Sequence, residues 1–296
     1  MPLLHKLIIS IATILLFLGI GDTLLELGYA FALILILGIP HGATDHLLWQ
    51  NTGSQTSKHL PLWKFIVSYL AVMLAYVAVW YFFKTFAFVV FLAISAYHFG
   101  EAQLIKNIQN KRWDQVSYFL WGLSALLLIF FPHLSETKAL IVPYLVDESA
   151  FQFFSQYRYY FLIGACTPLL FLFTFSSYKV LLHQFAELLL IYLISRYTSL
   201  LVAFAVFFSF WHAYDSTSFQ LSRLRKSKKN FNLLSWVKKA APYSAISWVG
   251  IILIISISLH LKLSWPLITL FFVLVSIITL PHVIIMSRFY FHPKTD

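Results

Sequence analysis

Four short stretches set ionisable side chains inside otherwise apolar sequence. "PHGATDH" carries His41, Asp45 and His46; "YHFGE" carries His98 and Glu101; "FWHAYDS" carries His212 and Asp215; and "LPHVIIMSRF" carries His282. Imidazoles and carboxylates in apolar surroundings are costly unless they pair with one another or bind something. Imidazole is also the commonest metal ligand among side chains. An all-nitrogen set suits Fe(II) or another late first-row divalent ion, and Zn(II) is compatible with it. Iron with an open position binds dioxygen, whereas zinc favours hydrolysis through a bound water. Donor type alone does not choose between these chemistries.

The local spacing adds second partners. His41 and Asp45 stand four residues apart, and His98–Glu101 and His212–Asp215 three apart, so a regular helix puts each pair on one face. Each carboxylate then either accepts the proton on the far nitrogen of a metal-bound imidazole or offsets a buried charge. Pro40 and Gly42 beside His41, Gly100 after His98 and Pro281 before His282 weaken or kink a helix locally, which widens a pocket. The aromatic neighbours Trp49, Tyr97, Phe99, Phe210, Trp211 and Tyr214 are candidates for the walls of an elongated lipophilic cavity.

The elements that must position these groups follow from composition. The chain has 296 residues, 60% of them hydrophobic and 11% charged, where soluble domains carry about 25% charged residues. Mean hydropathy is +0.81. The fold class expected is therefore an all-α integral membrane protein, a multi-helix bundle. A hydrocarbon core asks for about 20 apolar residues per helix. Apolar runs at 4–21, 29–50, 62–82, 86–107, 113–131, 157–176, 179–195, 199–220, 243–261 and 265–287 predict about ten transmembrane helices, with a range of eight to ten. The range reflects two short runs and two nearly continuous pairs, around 84 and 177. No polar stretch is long enough for a separate core, so residues 1–296 read as a single transmembrane domain. The first run begins like a signal peptide but lacks an A-x-A-like cleavage site, and a retained helix is expected. The single cysteine, Cys166, excludes an intramolecular disulfide and a cysteine-rich metal centre.

Charge orients the helices. The net charge of +10 is concentrated in "RLRKSKK" at 223–229, inside an expected basic cytoplasmic loop at 221–242. In a membrane protein such a patch meets anionic lipid rather than nucleic acid, and no nucleic acid partner is expected. With the amino terminus inside, most Lys and Arg fall at inner ends, while Asp22, Glu26, Glu136, Asp147 and Glu148 collect outside. The expectation is a multi-pass protein of the cell (inner) membrane with both termini cytoplasmic. Residues 132–156 form an extracytoplasmic loop, read either as an interfacial helix or as plain loop. On this topology His41, His98, His212 and His282 lie on helices that all run inward, roughly 7 to 14 Å from the inner boundary at 1.5 Å per residue. Four helices then bring imidazoles to one layer.

The quoted segments together resemble the Brp/Blh family, the membrane-integral bacterial and archaeal β-carotene 15,15'-dioxygenases. The likeness extends over nearly the whole chain in span number and order, and its specific part is "PHGATDH", "YHFGEAQ", "FWHAYDS" and the late "LPH". The resemblance implies iron-dependent cleavage of the central double bond of β-carotene by dioxygen into two retinal molecules, with Fe(II) as cofactor and a functional link to a rhodopsin. It implies His41, His98 and His212 as iron ligands, with Asp45, Glu101 and Asp215 supporting them. It also implies a further histidine one turn beyond the Trp-His pair; that position is Ser216 here. Either His282 or His46 then completes the set.

Two other classes compete with the enzyme. A proton- or metal-coupled transporter would use buried His, Asp and Glu as a path, but it needs polar groups reaching both sides of the membrane. The outer halves of these helices are dry. A non-catalytic carotenoid- or retinal-binding membrane protein would keep the apolar walls and lose the iron. Metal-dependent hydrolysis keeps the enzyme class and changes the reaction.

Overall fold

A chain that lies in lipid must satisfy its backbone polar groups within each segment, which the α-helix does. The computed structural model describes residues 1–19, 23–51, 61–105, 113–141, 149–167, 176–228, 230–260 and 267–291, and every element among them is helical. Residues 142–148 of the expected outer loop, 168–175 of the expected span at 157–176, and Lys229 of the basic patch lie outside the described residues.

Among the described residues seven helices are long and apolar enough to cross a bilayer: Thr23–Gln50, Leu62–Phe82, Lys84–Leu104, Asp114–Leu140, Tyr178–Tyr197, Leu233–Ser258 and Val273–Phe291. The architecture is thus an all-helical, membrane-spanning bundle. Seven differs from the expected eight to ten for identifiable reasons. The first run is a helix of 15 residues, Leu3–Phe17. The run at 157–176 begins as Arg158–Gly164, with its second part outside the described residues. The run at 199–220 lies in helix continuous over 200–227, but His212, Asp215 and their hydroxylic neighbours lower its hydropathy. The near-continuous pair around 84 is two helices, because Phe83 leaves helical geometry at φ −138 and ψ 61.

Two expected loops are largely helical. Residues 132–156 contain the end of the 3-10 turn Phe131–His133 and the helices Leu134–Ile141 and Ser149–Gln156. Residues 221–242 are helical up to Ser227 and again from Leu233.

The chain divides into two compact units. The first comprises Met1–Ile34 and Leu92–Asp215. Its core is built on Tyr118, Trp121, Ile129, Ile191, Val206 and Trp211. The Tyr178–Tyr197 helix packs on Asp114–Phe130 and on Leu3–Phe17, and Leu200–Val206 packs on Thr23–Leu33. Where Lys84–Leu104 crosses Asp114–Phe130, glycines let the backbones touch. A Cβ at Gly100 would stand 1.8 Å from the Tyr118 carbonyl oxygen, and one at Gly122 1.8 Å from that of Ala96. Gly100 therefore serves a close helix crossing rather than a pocket-widening kink.

This unit also buries Lys6, whose ammonium meets both Glu187 oxygens at 3.1 Å and Asp215 Oδ2 at 2.8 Å. The amino group of Met1 bonds to Asp215 Oδ1. His183 Nε2 lies 3.2 Å from Glu187 Oε1. Lys6 is thus the centre of a buried ion cluster.

The second unit comprises Leu35–Phe91 and Ser216–Asp296. Leu267–Phe291 packs on Leu62–Phe82 and Asp45–Gln50, and Leu233–His260 packs on Ile39–Gly42. Trp80 Nε1 donates to Ser276 Oγ at 2.8 Å. A π-helical stretch, Ile34–Gly38, precedes Pro40. Pro40 has no N–H to return to the preceding turn, and the wider turn accommodates the loss. The Leu35 carbonyl, five residues before Pro40, takes its hydrogen bond from Trp248 Nε1 at 3.2 Å instead. Apolar rows such as Trp63, Val67 and Leu74, and Ile246, Ile252 and Leu253, remain exposed; lipid is the solvent that such rows suit.

Candidate metal centre

Two pairs of buried histidines stand out, one in each unit. In the second unit, His41 sits in the short helix Ile39–Gly42 directly after the π-helical stretch, and His282 follows Pro281 inside Leu267–Phe291. Their Nε2 atoms lie 3.1 Å apart with the rings edge to face at a centroid distance of 4.8 Å. Two imidazole lone pairs do not face each other at that distance without a proton or a cation between them. The far nitrogen of His282, Nδ1, is 2.8 Å from Asp45 Oδ1. The Tyr69 hydroxyl donates to Asp45 Oδ2 at 3.0 Å. The far nitrogen of His41, Nδ1, is 3.2 Å from Gln220 Nε2 and 3.4 Å from Thr217 Oγ1.

In the first unit, His98 lies on Lys84–Leu104 and His212 within a second π-helical stretch, Phe207–Ala213. Their ring centroids are 4.6 Å apart, and one ring nitrogen of each is within 4.8 Å of the other. Glu101 Oε2 is 3.6 Å from His98 Nδ1, beyond hydrogen-bond length but well within charge contact. Aromatic rings enclose this pair. Phe99 meets His212 at 4.9 Å and Phe208 lies nearly parallel to it at 5.4 Å. Phe207 packs on Phe99 at 5.2 Å and Phe204 stacks on Phe208 at 5.9 Å.

All four histidines are buried, and each offers one ring nitrogen suited to holding a metal ion. Each pair offers imidazole nitrogens removed from water, the donor type that late first-row ions favour. In three of them the far nitrogen faces an oxygen or amide group that can fix the ring, as metal-bound imidazoles require.

Several expected residues stand elsewhere. Asp45 is placed on His282 rather than His41, because the turn at Ala43 and Thr44 interrupts the helix on which the four-residue spacing depended. Asp215 faces Lys6 rather than His212, the π-helical stretch having changed the register between them. Glu101 alone stays beside the histidine of its own motif. His46 is buried against Tyr243 at a ring distance of 4.3 Å. Ser216 Oγ is 2.9 Å from the Tyr290 hydroxyl.

Of the expected aromatic wall, Phe99 packs on His212. Trp211 lies under the Lys6 ammonium at 5.1 Å, Tyr97 meets Tyr118 at 6.0 Å, and Trp49 faces Arg288 at 5.8 Å. Phe210 is half-buried and Tyr214 is 41% exposed. A recess of about 340 Å³ in the first unit is lined by Thr23, Leu24, Glu26, Leu27, Glu136, Ser199 and Leu201, with no histidine on its wall.

Sequence reasoning passed over Tyr69, Thr44, Gln220 and Phe208. Phe208 had a signal, since it precedes His212 by four residues on a helical face. Thr44 lies inside "PHGATDH" itself. Tyr69 and Gln220 had none that distinguished them from other polar residues on their helices.

Comparison with known proteins bears on all four histidine segments at once. Residues 32–290 match the family model described as Beta-carotene 15,15'-dioxygenase. A protein named "Beta-carotene 15,15'-dioxygenase", from uncultured marine bacterium 66A03, is 24% identical over 275 residues, covering 90% of this chain and 94% of its own length. No solved structure matches the chain. The matched stretch contains His41, His98, His212 and His282 together, and the chain belongs to the β-carotene 15,15'-dioxygenase family.

Proposed function

We propose that the protein cleaves the central 15,15' double bond of β-carotene, or of a closely similar carotenoid, with dioxygen, giving two molecules of retinal. Fe(II) would be the cofactor, and His41, His98, His212 and His282 are the residues that would hold it. The observation that carries this reading is the set of four buried imidazoles in a membrane-spanning member of that family. His282 fills the place that Ser216 leaves vacant, and His46, packed on Tyr243, stays outside the set.

Iron supplies the redox chemistry that lets ground-state dioxygen react with an alkene. The overall change balances without further reactants: the double bond breaks and each of its carbons takes one oxygen atom. No proton is consumed overall, and none of the chain's own residues is given an acid or base step. Their work is placement. Asp45, braced by Tyr69, holds the Nδ1 proton of His282 and so turns Nε2 inward. Glu101 does the same for His98 by charge. Phe99, Phe204 and Phe208 offer flat apolar faces on which a polyene packs without losing hydrogen bonds to water. A hydrocarbon already dissolved in the bilayer reaches such a site between helices.

Ten crossings with both termini cytoplasmic accommodate this site: the seven long apolar helices, Leu3–Phe17, the run 200–227, and the segment opening at Arg158. The distribution of Lys and Arg supports the orientation. The retinal product is the chromophore a rhodopsin in the same membrane would take.

Protein purified without oxygen and reconstituted with Fe(II), then given β-carotene and ¹⁸O₂, is expected to form retinal with label in both molecules. Iron-loaded protein that yields no retinal refutes the reaction. Full iron content after His282→Ala, or loss of iron after His46→Ala, refutes the ligand assignment.

A further inference from the structure

His41 raises a proton question that its neighbours answer. Imidazole binds a metal through a nitrogen without a proton, so if Nε2 of His41 is the ligand, Nδ1 must carry the hydrogen. The structure places an amide nitrogen, Gln220 Nε2, 3.2 Å from Nδ1. An N–H facing an N–H is repulsive, so this arrangement belongs to the opposite tautomer.

That tautomer forms a continuous chain in the second unit. Gln220 Nε2–H donates to His41 Nδ1, His41 Nε2–H donates to His282 Nε2 at 3.1 Å, and His282 Nδ1–H donates to Asp45 at 2.8 Å. The Thr217 hydroxyl, 3.4 Å away, is a second partner of His41 Nδ1, and the hydrogen between the two histidines stands where a metal would bind. With a metal on Nε2 the hydrogen of His41 would sit on Nδ1, where it would meet the Thr217 hydroxyl at 3.4 Å and, once the carboxamide had turned, Gln220 Oε1 in place of the amide N–H.

The surroundings of Gln220 allow that exchange. Its side chain is fully buried, and its Oε1 lies 3.0 Å from Thr44 Oγ1. The Thr44 hydroxyl also lies 3.1 Å from the His41 carbonyl oxygen. A hydroxyl has one hydrogen and spare lone pairs. With Oε1 toward it, Thr44 gives its hydrogen to Gln220. With Nε2 toward it, Thr44 accepts from the amide and gives its hydrogen to the His41 carbonyl. Met286 Sδ, 3.3 Å from Nε2, is a weak acceptor that loses little in the exchange.

We propose that Gln220 is a positioning residue whose carboxamide turns over when His41 takes a metal, presenting Oε1 to the Nδ1 proton and so fixing Nε2 as the ligand. Resting as it does on the metal-site reading above, the inference needs a test that separates the two. Fe(II) affinity is measured anaerobically, by competition with a chelator, for the wild type, Gln220→Met and Gln220→Glu. Methionine keeps the length and removes both polar ends; glutamate keeps only acceptors.

The expected result is affinity ten- to a hundredfold weaker in Gln220→Met, with Gln220→Glu restored to the wild-type value or tighter. A packing role predicts the reverse order, since methionine is the apolar near-isostere and glutamate buries a charge; that order overturns the proposal, as does Gln220→Met within twofold of wild type. A wild type that binds no iron overturns the metal-site reading and this inference with it. If either variant fails to fold, ¹⁵N-histidine spectra of the wild type with and without Zn(II) decide instead, with the His41 signal assigned by its loss in His41→Gln. Zinc should move the proton from Nε2 to Nδ1, and an unchanged tautomer overturns the proposal.

Discussion

Replacing Gly100 by alanine tests whether the first-unit histidine pair depends on a backbone-to-backbone helix crossing. The new Cβ would stand 1.8 Å from the Tyr118 carbonyl oxygen, a backbone atom, so no rotamer change relieves the clash. A carbon–oxygen contact needs about 3.3 Å, so one helix must retreat by about 1.5 Å. The reciprocal contact of Gly122 with Ala96, also at 1.8 Å, prevents relief by pivoting, because both ends of the crossing are already closed. Overpacking of this kind costs about 1–3 kcal/mol, or a fall of roughly 3–10 °C in melting temperature. His98 lies half a turn from Gly100, so iron content should fall as well. Gly28→Ala is the control: nothing lies within 4 Å of its Cβ, and alanine in a helix gains up to about 1 kcal/mol over glycine. Thermal unfolding in detergent, with iron measured on the same samples, should separate Gly100→Ala and Gly122→Ala from Gly28→Ala. If all three melt within about 2 °C of one another, the crossing is not held by backbone contact and the reasoning fails.

The remaining predictions concern polar groups. Lys6→Met leaves Glu187 without its buried cation, a loss of about 3–5 kcal/mol, read as a lower melting temperature; an unchanged value would show that the cluster is wet. Asp45→Asn removes the charged acceptor on His282 Nδ1 and should weaken iron binding ten- to a hundredfold, whereas Tyr69→Phe, which removes one hydrogen bond to Asp45, should cost about 1 kcal/mol and several-fold in affinity. An equal effect of the two in a metal competition assay would argue against Asp45 as the direct partner. Ser216→Ala breaks one bond to Tyr290, so it should lower stability by about 1 kcal/mol and leave iron content unchanged; loss of iron would place Ser216 at the metal.

Much of this was legible because burial of imidazole in lipid is costly wherever it occurs. His41, His98, His212 and His282 each stood out in an apolar run, and the structure buries all four. Pairing rules based on regular helix were less reliable, and the failures have one cause. Spacing of three or four residues specifies a common face only while the helix keeps its period. The turn after His41 and the π-helical stretch around His212 both change that period, so Asp45 and Asp215 found partners on other helices. Along Lys84–Leu104 the period is unbroken, and there Glu101 stays beside His98. Partners distant in sequence, such as Lys6 with Glu187 at a separation of 181 residues, leave no periodic trace at all.

The two histidine pairs are oriented by different means, and that difference has a consequence for function. His41 and His282 are held by directional hydrogen bonds to Gln220 and Asp45. In the other pair Phe99 and Phe208 pack against His212, while His98 has Glu101 Oε2 3.6 Å from its Nδ1. Hydrogen bonds fix which nitrogen carries a proton, so under the proposed function Gln220 and Asp45 would bear most on metal affinity. Aromatic faces fix a ring plane and at the same time present apolar surface, and under the proposed function it is on the Phe99 and Phe208 faces that a polyene would lie. Phe208→Leu should therefore retain iron while lowering turnover or shifting the cleaved bond, and Asp45→Asn should lose iron without changing the cleavage pattern of whatever activity remains. Iron loss in Phe208→Leu equal to that in Asp45→Asn would mean that the rings, too, are there to hold the ligands.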